Sequence, residues 1–242
     1  MIKTEEELDE CVKFINGIKI SELVGSSPVF SNADYLFNEY NVVAELKCLE
    51  EDKIKDHKIR DKASKIYEKY LNAGDVPVVV FGTVQISTED FSEGFTKEII
   101  ELYRKPIRDV IKKANRQIRE TKEHLRKEDA HGLLILVNDG HTALDPSHIM
   151  WILNETFNRD GFSSINSFLF ITVNLKAEHP EINKDLLVWA SGDRSPDNKC
   201  PSQLLTRLRT KWFKRVSELT GEPIDTIYPE NQETIDEIKN IL

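Results

Sequence analysis

Asp34 is followed, after ten intervening residues, by Glu45-Leu46-Lys47. Two carboxylates and an amine brought into one cleft could hydrolyse a phosphodiester. The carboxylates offer hard oxygen ligands for Mg²⁺, with Mn²⁺ as a substitute, and the amine can orient an attacking water or pair with a phosphate oxygen. Glu-x-Lys alone means little, because Glu51/Lys53 and Glu120/Lys122 match it too. Context separates them: Glu51 lies in a charge run and Glu120 in a helical segment, whereas Glu45 and Lys47 interrupt an apolar, strand-like stretch. The strand period of two sets Val42, Ala44, Leu46 and Cys48 on one face and Val43, Glu45, Lys47 and Leu49 on the other. Charges among apolar neighbours are costly to bury unless they are paired or used.

The elements that must position these residues follow from periodicity and turn chemistry. Leu8, Cys11, Val12 and Ile15 mark an opening helix from Thr4 to Gly17, with Thr4 and Glu7 spaced as a capping box. Gly25 to Pro28 is a loop signal. Asp34–Phe37 and Val42–Leu49 read as strands joined closely enough for an antiparallel hairpin. After the charge run from Glu50 to Lys62, the sequence predicts a helix ending near Gly74, a buried strand at Val78–Phe81, and an irregular or extended stretch to Gly94. A long helix comes next, with Pro106 either in its first turn or marking a kink within it, and with Ile107, Val110, Ile111, Ala114, Ile118 and Leu125 as its apolar stripe. Leu133–Val137 is a strand closed by a turn at Asn138-Asp139-Gly140. Pro146–Phe157 is a helix with Asp145 at its N-cap. Two further strands are expected at Ile165–Val173 and Leu186–Ala190, then a loop from Ser191 to Pro201 and an amphipathic helix from Gln203 to Leu219. The alternation predicts a single three-layer α/β domain over 1–242.

Asp34, Glu45 and Lys47, carried on a hairpin between helices, resemble the PD-(D/E)xK nuclease superfamily, whose core is restriction endonuclease-like. The resemblance covers about residues 4–139, leaving 140–242 as a C-terminal extension with strands and a basic helix. It implies a mixed central sheet flanked by helices. It also implies Asp34 and Glu45 as metal ligands, the Leu46 carbonyl as a third, and Lys47 as the catalytic lysine. Ala33 stands where many members carry proline. A helical acid often completes the ligand set in the family, and Glu7 and Glu22 are the candidates. Gln117, with Lys113 and His124 on the border of the long helix's stripe, is similar to a glutamine some members place near the site. The implied activity is Mg²⁺-dependent hydrolysis of nucleic acid, DNA in preference to RNA.

Composition bounds the alternatives. The 242 residues carry a net charge of −9, with 33 basic and 42 acidic residues, so whole-chain charge does not argue for nucleic acid. Its distribution does. Arg104–Lys127 carries a local excess of +7 and Arg207–Arg215 is wholly basic among its charged residues; Lys113, Gln117, Arg207 and Lys211 are the expected phosphate contacts. Three scattered cysteines exclude a disulfide framework or cysteine zinc site. His141 and His148 lack a metal-site register, Ser191–Ser195 lacks a hydrolase elbow, and no phosphate-binding glycine loop occurs. The apolar runs are too short to span a membrane, and the reading is a cytoplasmic chain that acts as a homodimer or within a larger defence or repair assembly. Two rivals remain. One is a catalytically silent module on the nuclease fold that binds nucleic acid or protein. The other is a metal-independent interaction protein, such as an immunity partner, suited by the acidic balance.

Overall fold

The computed structural model describes residues 1–25, 30–50, 57–76, 91–141, 144–179, 182–224 and 239–240. The expected strand at 78–81 and the Glu51/Lys53 pair fall outside them. The chain divides into two compact units, Met1–Glu51 with Val110–Leu242, and Asp52–Asp109.

The larger unit is α/β, built on an open six-stranded mixed sheet. Helix α1 (Thr4–Phe14) leads to the two-residue strand β1 (Ile18–Lys19), short helix α2 (Ile20–Val24), and strands β2 (Tyr35–Phe37) and β3 (Val42–Glu50). Helices α3 (His57–Ala73) and α4 (Glu93–His124) precede β4 (His131–Asp139), α5 (Pro146–Arg159) and β5 (Ser167–Val173). Then come β6 (Ala177–His179), β7 (Ile182–Leu186), β8 (Trp189–Asp193), α6 (Ser202–Thr220) and β9 (Lys239–Asn240). The main sheet runs β1-β2-β3-β4-β5-β8, and β7-β6-β9 form a second, three-stranded sheet. β3, β4 and β5 are parallel neighbours, while β1–β2, β2–β3 and β5–β8 are antiparallel. β5 and β8 extend the same sheet beyond residue 139.

β4 and β5 are buried nearly throughout, as parallel strands covered on both faces must be. Leu8, Cys11 and Val12 of α1 and Leu204, Leu208, Trp212 and Val216 of α6 pack with Val42, Ala44, Leu46, Leu133, Ile135 and Val137 on one face. On the other, Phe157 of α5 stacks on Phe168 at 5.4 Å between centroids. A Cβ at Gly132 would lie 1.9 Å from the Ser164 carbonyl and 3.1 Å from Ile118 of α4. Glycine there lets α4 and the 161–166 loop close on the sheet.

Several local expectations change. Thr4 is the first helical residue and caps nothing: its hydroxyl donates to Asp139 Oδ2 at 2.6 Å, and Lys3 occupies the N-cap position. The hydroxyl donates to a tertiary acceptor instead of accepting a local backbone N–H. Asp145 holds the N-cap position of α5 but makes no capping bond. The strand expected at Leu186–Ala190 is split between β7 and β8, and Ser191–Asp193 is strand where a loop was expected. Pairing with β5 decides this, and Gly192 admits the Phe168 ring, 2.6 Å from where a Cβ would sit. Pro106 lies inside α4, and Leu125 lies just beyond its end.

In the smaller unit, Phe95 stacks on Phe91 (4.6 Å) and meets Tyr70 edge-on (5.6 Å). The Tyr70 hydroxyl donates to Glu98 at 3.0 Å, tying α3 to the start of α4. No helix among the described residues is long and apolar enough to cross a membrane.

Candidate metal and phosphodiester site

Glu45 and Lys47 lie on β3, the third strand of six, where alternation turns them away from the α1/α6 core and toward α4 and α5. Asp34 sits immediately before β2. The β2–β3 register pairs Tyr35 with Ala44; continued one residue, it sets Asp34 opposite Glu45. Like charges directly opposite each other on a sheet are destabilising. Here both are also withdrawn from water.

Glu45 is fully buried, at 0% exposure. Its Oε1 takes an ion pair from Lys47 Nζ, while its Oε2 has no hydrogen-bond partner. Burial first, and the Asp34 charge second, push the Glu45 carboxyl up to about 9, against the opposing pull of Lys47. Asp34 is also raised, by burial, with the Leu46 N–H and the Lys47 charge pulling it back. Asp34 Oδ2 accepts the Leu46 N–H at 2.8 Å, replacing the backbone acceptor that β2 would have supplied had it begun earlier. The Leu46 N–H and C=O point to the same side of the strand, so its carbonyl is directed toward the β2 side, where Asp34 lies.

α4 flanks this corner. Thr121 Oγ1 accepts the Ala33 N–H at 2.7 Å, Glu120 Oε2 accepts the Ser31 N–H at 2.8 Å, and Gln117 Nε2 donates to the Asn32 carbonyl at 3.0 Å. Gln117 thus reaches the segment leading into Asp34, Lys113 is exposed, and His124 stacks on Phe30 at 4.3 Å. Sequence reasoning passed over Thr121 and Glu120. Their only signal was a polar pair at the margin of the apolar stripe of α4.

The expected helical acid is not at the site. Glu7 pairs with Arg215 at 2.6 Å, on the α1/α6 side. Glu22, on α2, makes no contact with Asp34 or Glu45 among those the structure shows. Asp9 is the α1 acid whose field reaches Asp34, but it accepts the Tyr35 hydroxyl at 2.8 Å and pairs with Lys19. Among the described residues no three His, Cys, Asp or Glu side chains form a metal cluster. The Asp34 and Glu45 carboxylates with the Leu46 carbonyl are the candidate donors. They fit a cation that keeps several waters, as Mg²⁺ does, and the orphaned Glu45 oxygen fits a missing positive partner.

Arg207 and Lys211 lie on α6, across the sheet from Glu45. Arg207 bonds the Tyr40 hydroxyl at 2.9 Å and Glu39 at 3.2 Å, and Lys211 lies 3.9 Å over the Phe14 ring. On α4, Lys112 and Lys113 are exposed and form no ion pair among the described residues. Arg116 and Arg119 approach Glu120 only loosely, at 3.9 and 3.8 Å. No protein-family model, curated protein or solved structure matches the chain.

Proposed function

We propose that this chain is a metal-dependent nuclease of the PD-(D/E)xK type on a restriction endonuclease-like core, acting on DNA in preference to RNA. The observation that carries the reading is the Asp34–Glu45 carboxyl pair, Glu45 fully buried with one oxygen unpartnered and Asp34 half-buried opposite it, with Lys47 beside them. A fold gains nothing from a buried acid set against a second one, and sites that do chemistry are where such pairs occur.

Asp34, Glu45 and the Leu46 carbonyl would hold Mg²⁺. When bound, the ion supplies positive charge that lowers the pKa of nearby water and offsets charge on phosphoryl oxygens. Loading requires the proton held by the carboxyl pair to leave. Lys47, released from its pairing with Glu45, donates to the attacking water or to the scissile phosphate. The Leu46 N–H keeps Asp34 oriented. Lys112, Lys113, Arg116 and Arg119, on the same side of the sheet as the carboxyls, supply sequence-independent phosphate contacts. Arg207 and Lys211 lie on the far side and contribute less.

The test is incubation of the purified chain with Mg²⁺ or Mn²⁺ and plasmid, linear duplex, single-stranded DNA or RNA. Cleavage that disappears in Lys47→Ala, while Mn²⁺ binding persists, supports the reading. That two side-chain acids meet at the site among the described residues favours a second reading, a catalytically silent module on the same fold. Salt-dependent DNA retention without cleavage under any divalent ion would select it.

A further inference from the structure

We infer that Thr121, in α4, is a positioning residue for Asp34, and that the turn of α4 from Gln117 to Thr121 sets the separation of the two carboxyls. Its consequence for cleavage presupposes the proposed reaction; its consequence for geometry does not.

The β2–β3 ladder begins only at Tyr35 and Ala44. Upstream, Ala33 is fully buried, so its N–H needs a partner that no strand supplies. Thr121 Oγ1 supplies it. Ser31 and Asn32 are fastened to Glu120 and Gln117 of the same turn. Residues 117, 120 and 121 are neighbours on one helix face, so three consecutive backbone groups are gripped by a single rigid surface. Asp34 follows directly, and its carboxylate reaches the Leu46 N–H from there.

Thr121 is also out of place on propensity. It is fully buried near Ile111, Ala114 and Ile118 on the inward side of α4. There an aliphatic residue would give better helix and better packing. The hydroxyl is explained by the bond to Ala33. Remove it, and the Ala33 peptide loses its acceptor, leaving Asp34 held only by its own backbone bonds, its N–H donating to the Ala44 carbonyl at 3.2 Å and its carbonyl accepting the Ile20 N–H at 2.8 Å, with the approach to its side chain loosened.

The experiment compares wild type, Thr121→Val and Thr121→Ser. Amide exchange is followed at Leu46, whose protection reports the Asp34 contact, and at Ile135 in β4 as a control. In Thr121→Val the expected result is Leu46 exchange about tenfold faster with Ile135 unchanged, and Mn²⁺ affinity weakened about tenfold, as for other residues that orient a ligand. kcat falls with KM for DNA unchanged, and Thr121→Ser restores all three. Unchanged Leu46 exchange in folded Thr121→Val, or equal acceleration at Leu46 and Ile135, overturns the assignment. Should Thr121→Val fail to fold, Gln117→Ala combined with Glu120→Ala, at partly exposed positions, decides it. Faster exchange confined to Leu46 supports positioning, and no change refutes it. Faster Leu46 exchange in a protein whose wild type neither binds Mn²⁺ nor cleaves supports Thr121 as the positioning residue while sinking the nuclease reading.

Discussion

The two faces of the main sheet treat charge differently. Toward α1 and α6 the core is apolar, and the charges at its rim are matched: Arg215 with Glu7, Lys19 with Asp9, Arg207 with Glu39. Toward α4 and α5 the sheet buries Glu45 with one oxygen orphaned, sets Asp34 against it, and holds Lys122 with a single acceptor, the Ser164 carbonyl at 3.2 Å. One face is arranged for stability. The other carries a stability cost, in buried charge that is not fully paired, and it is the face to which the proposed function is assigned.

The comparison breaks first at the carboxyls. Asp34→Ala abolishes both Mn²⁺ binding and cleavage, read by calorimetry and a plasmid assay. Lys47→Ala lowers cleavage by about a hundred- to ten-thousandfold, the range for a lost proton-handling group, with Mn²⁺ affinity nearly kept. Full cleavage by Lys47→Ala would remove the lysine from the mechanism.

Glu45→Gln separates stability from function. An unfolded Glu45 titrates near 4.5 and the folded one near 9. Between those values the folded chain holds the extra proton, so the carboxyl's contribution to stability falls as pH rises. The glutamine has no charge to bury. At pH 8 it should therefore be more stable than wild type by about 1–3 kcal/mol, with the gap closing toward pH 5, while losing Mn²⁺ binding. Urea melts at the two pH values measure this; a variant less stable at pH 8 would show Glu45 is a structural partner of Lys47.

The basic helices sharpen the comparison further. Lys112→Ala with Lys113→Ala should flatten the salt dependence of DNA retention by nearly two in log–log slope. Arg207→Ala with Lys211→Ala should change it less, since those cations are engaged within the fold. Equal effects would give both helices to the substrate.

The smallest effect is at Lys122, whose amine burial lowers to about 8. Between 8 and the unfolded value of 10.5 the unfolded chain binds the extra proton, so this lysine's contribution to stability rises with pH across that window. Lys122→Met should accordingly stabilise the protein at pH 7 by about 1 kcal/mol, and show no gain at pH 11.

What could be read from the residues alone was what depends on short range. The hairpin, the shared face of Glu45 and Lys47, and the stripes of α1, α4 and α6 follow from periods of two and 3.6. What could not be read depends on partners far along the chain. Thr4 looked like a cap because Glu7 is three residues away, but its acceptor, Asp139, is 135 residues on. Ser191–Asp193, the second part of β8, looked like a loop because Ser and Gly suit turns, until β5 lies alongside it. Arg207 and Lys211 looked free because Tyr40 and Phe14 are remote in sequence. Gln117 was noticed for its place on the helix border, yet its partner, Asn32, and the neighbouring grip of Thr121 on Ala33 are tertiary facts.

The pairing of β3 with β4 has a consequence for how the chain is made. Val42 aligns with His131 and Glu50 with Asp139, so the strand bearing the candidate site gains its second neighbour only after residues 51–130 have been synthesised. Through that interval β3 is a nascent sheet edge, with Glu45 open to water and able to stay ionised. Its proton is taken up only when β4 docks. Parallel pairing across so long a loop folds slowly, and the ordering cost grows as the logarithm of loop length, so halving the loop would recover only about 0.6 kcal/mol. Burial of Glu45 in that step favours the protonated carboxyl, so mild acidity should ease it.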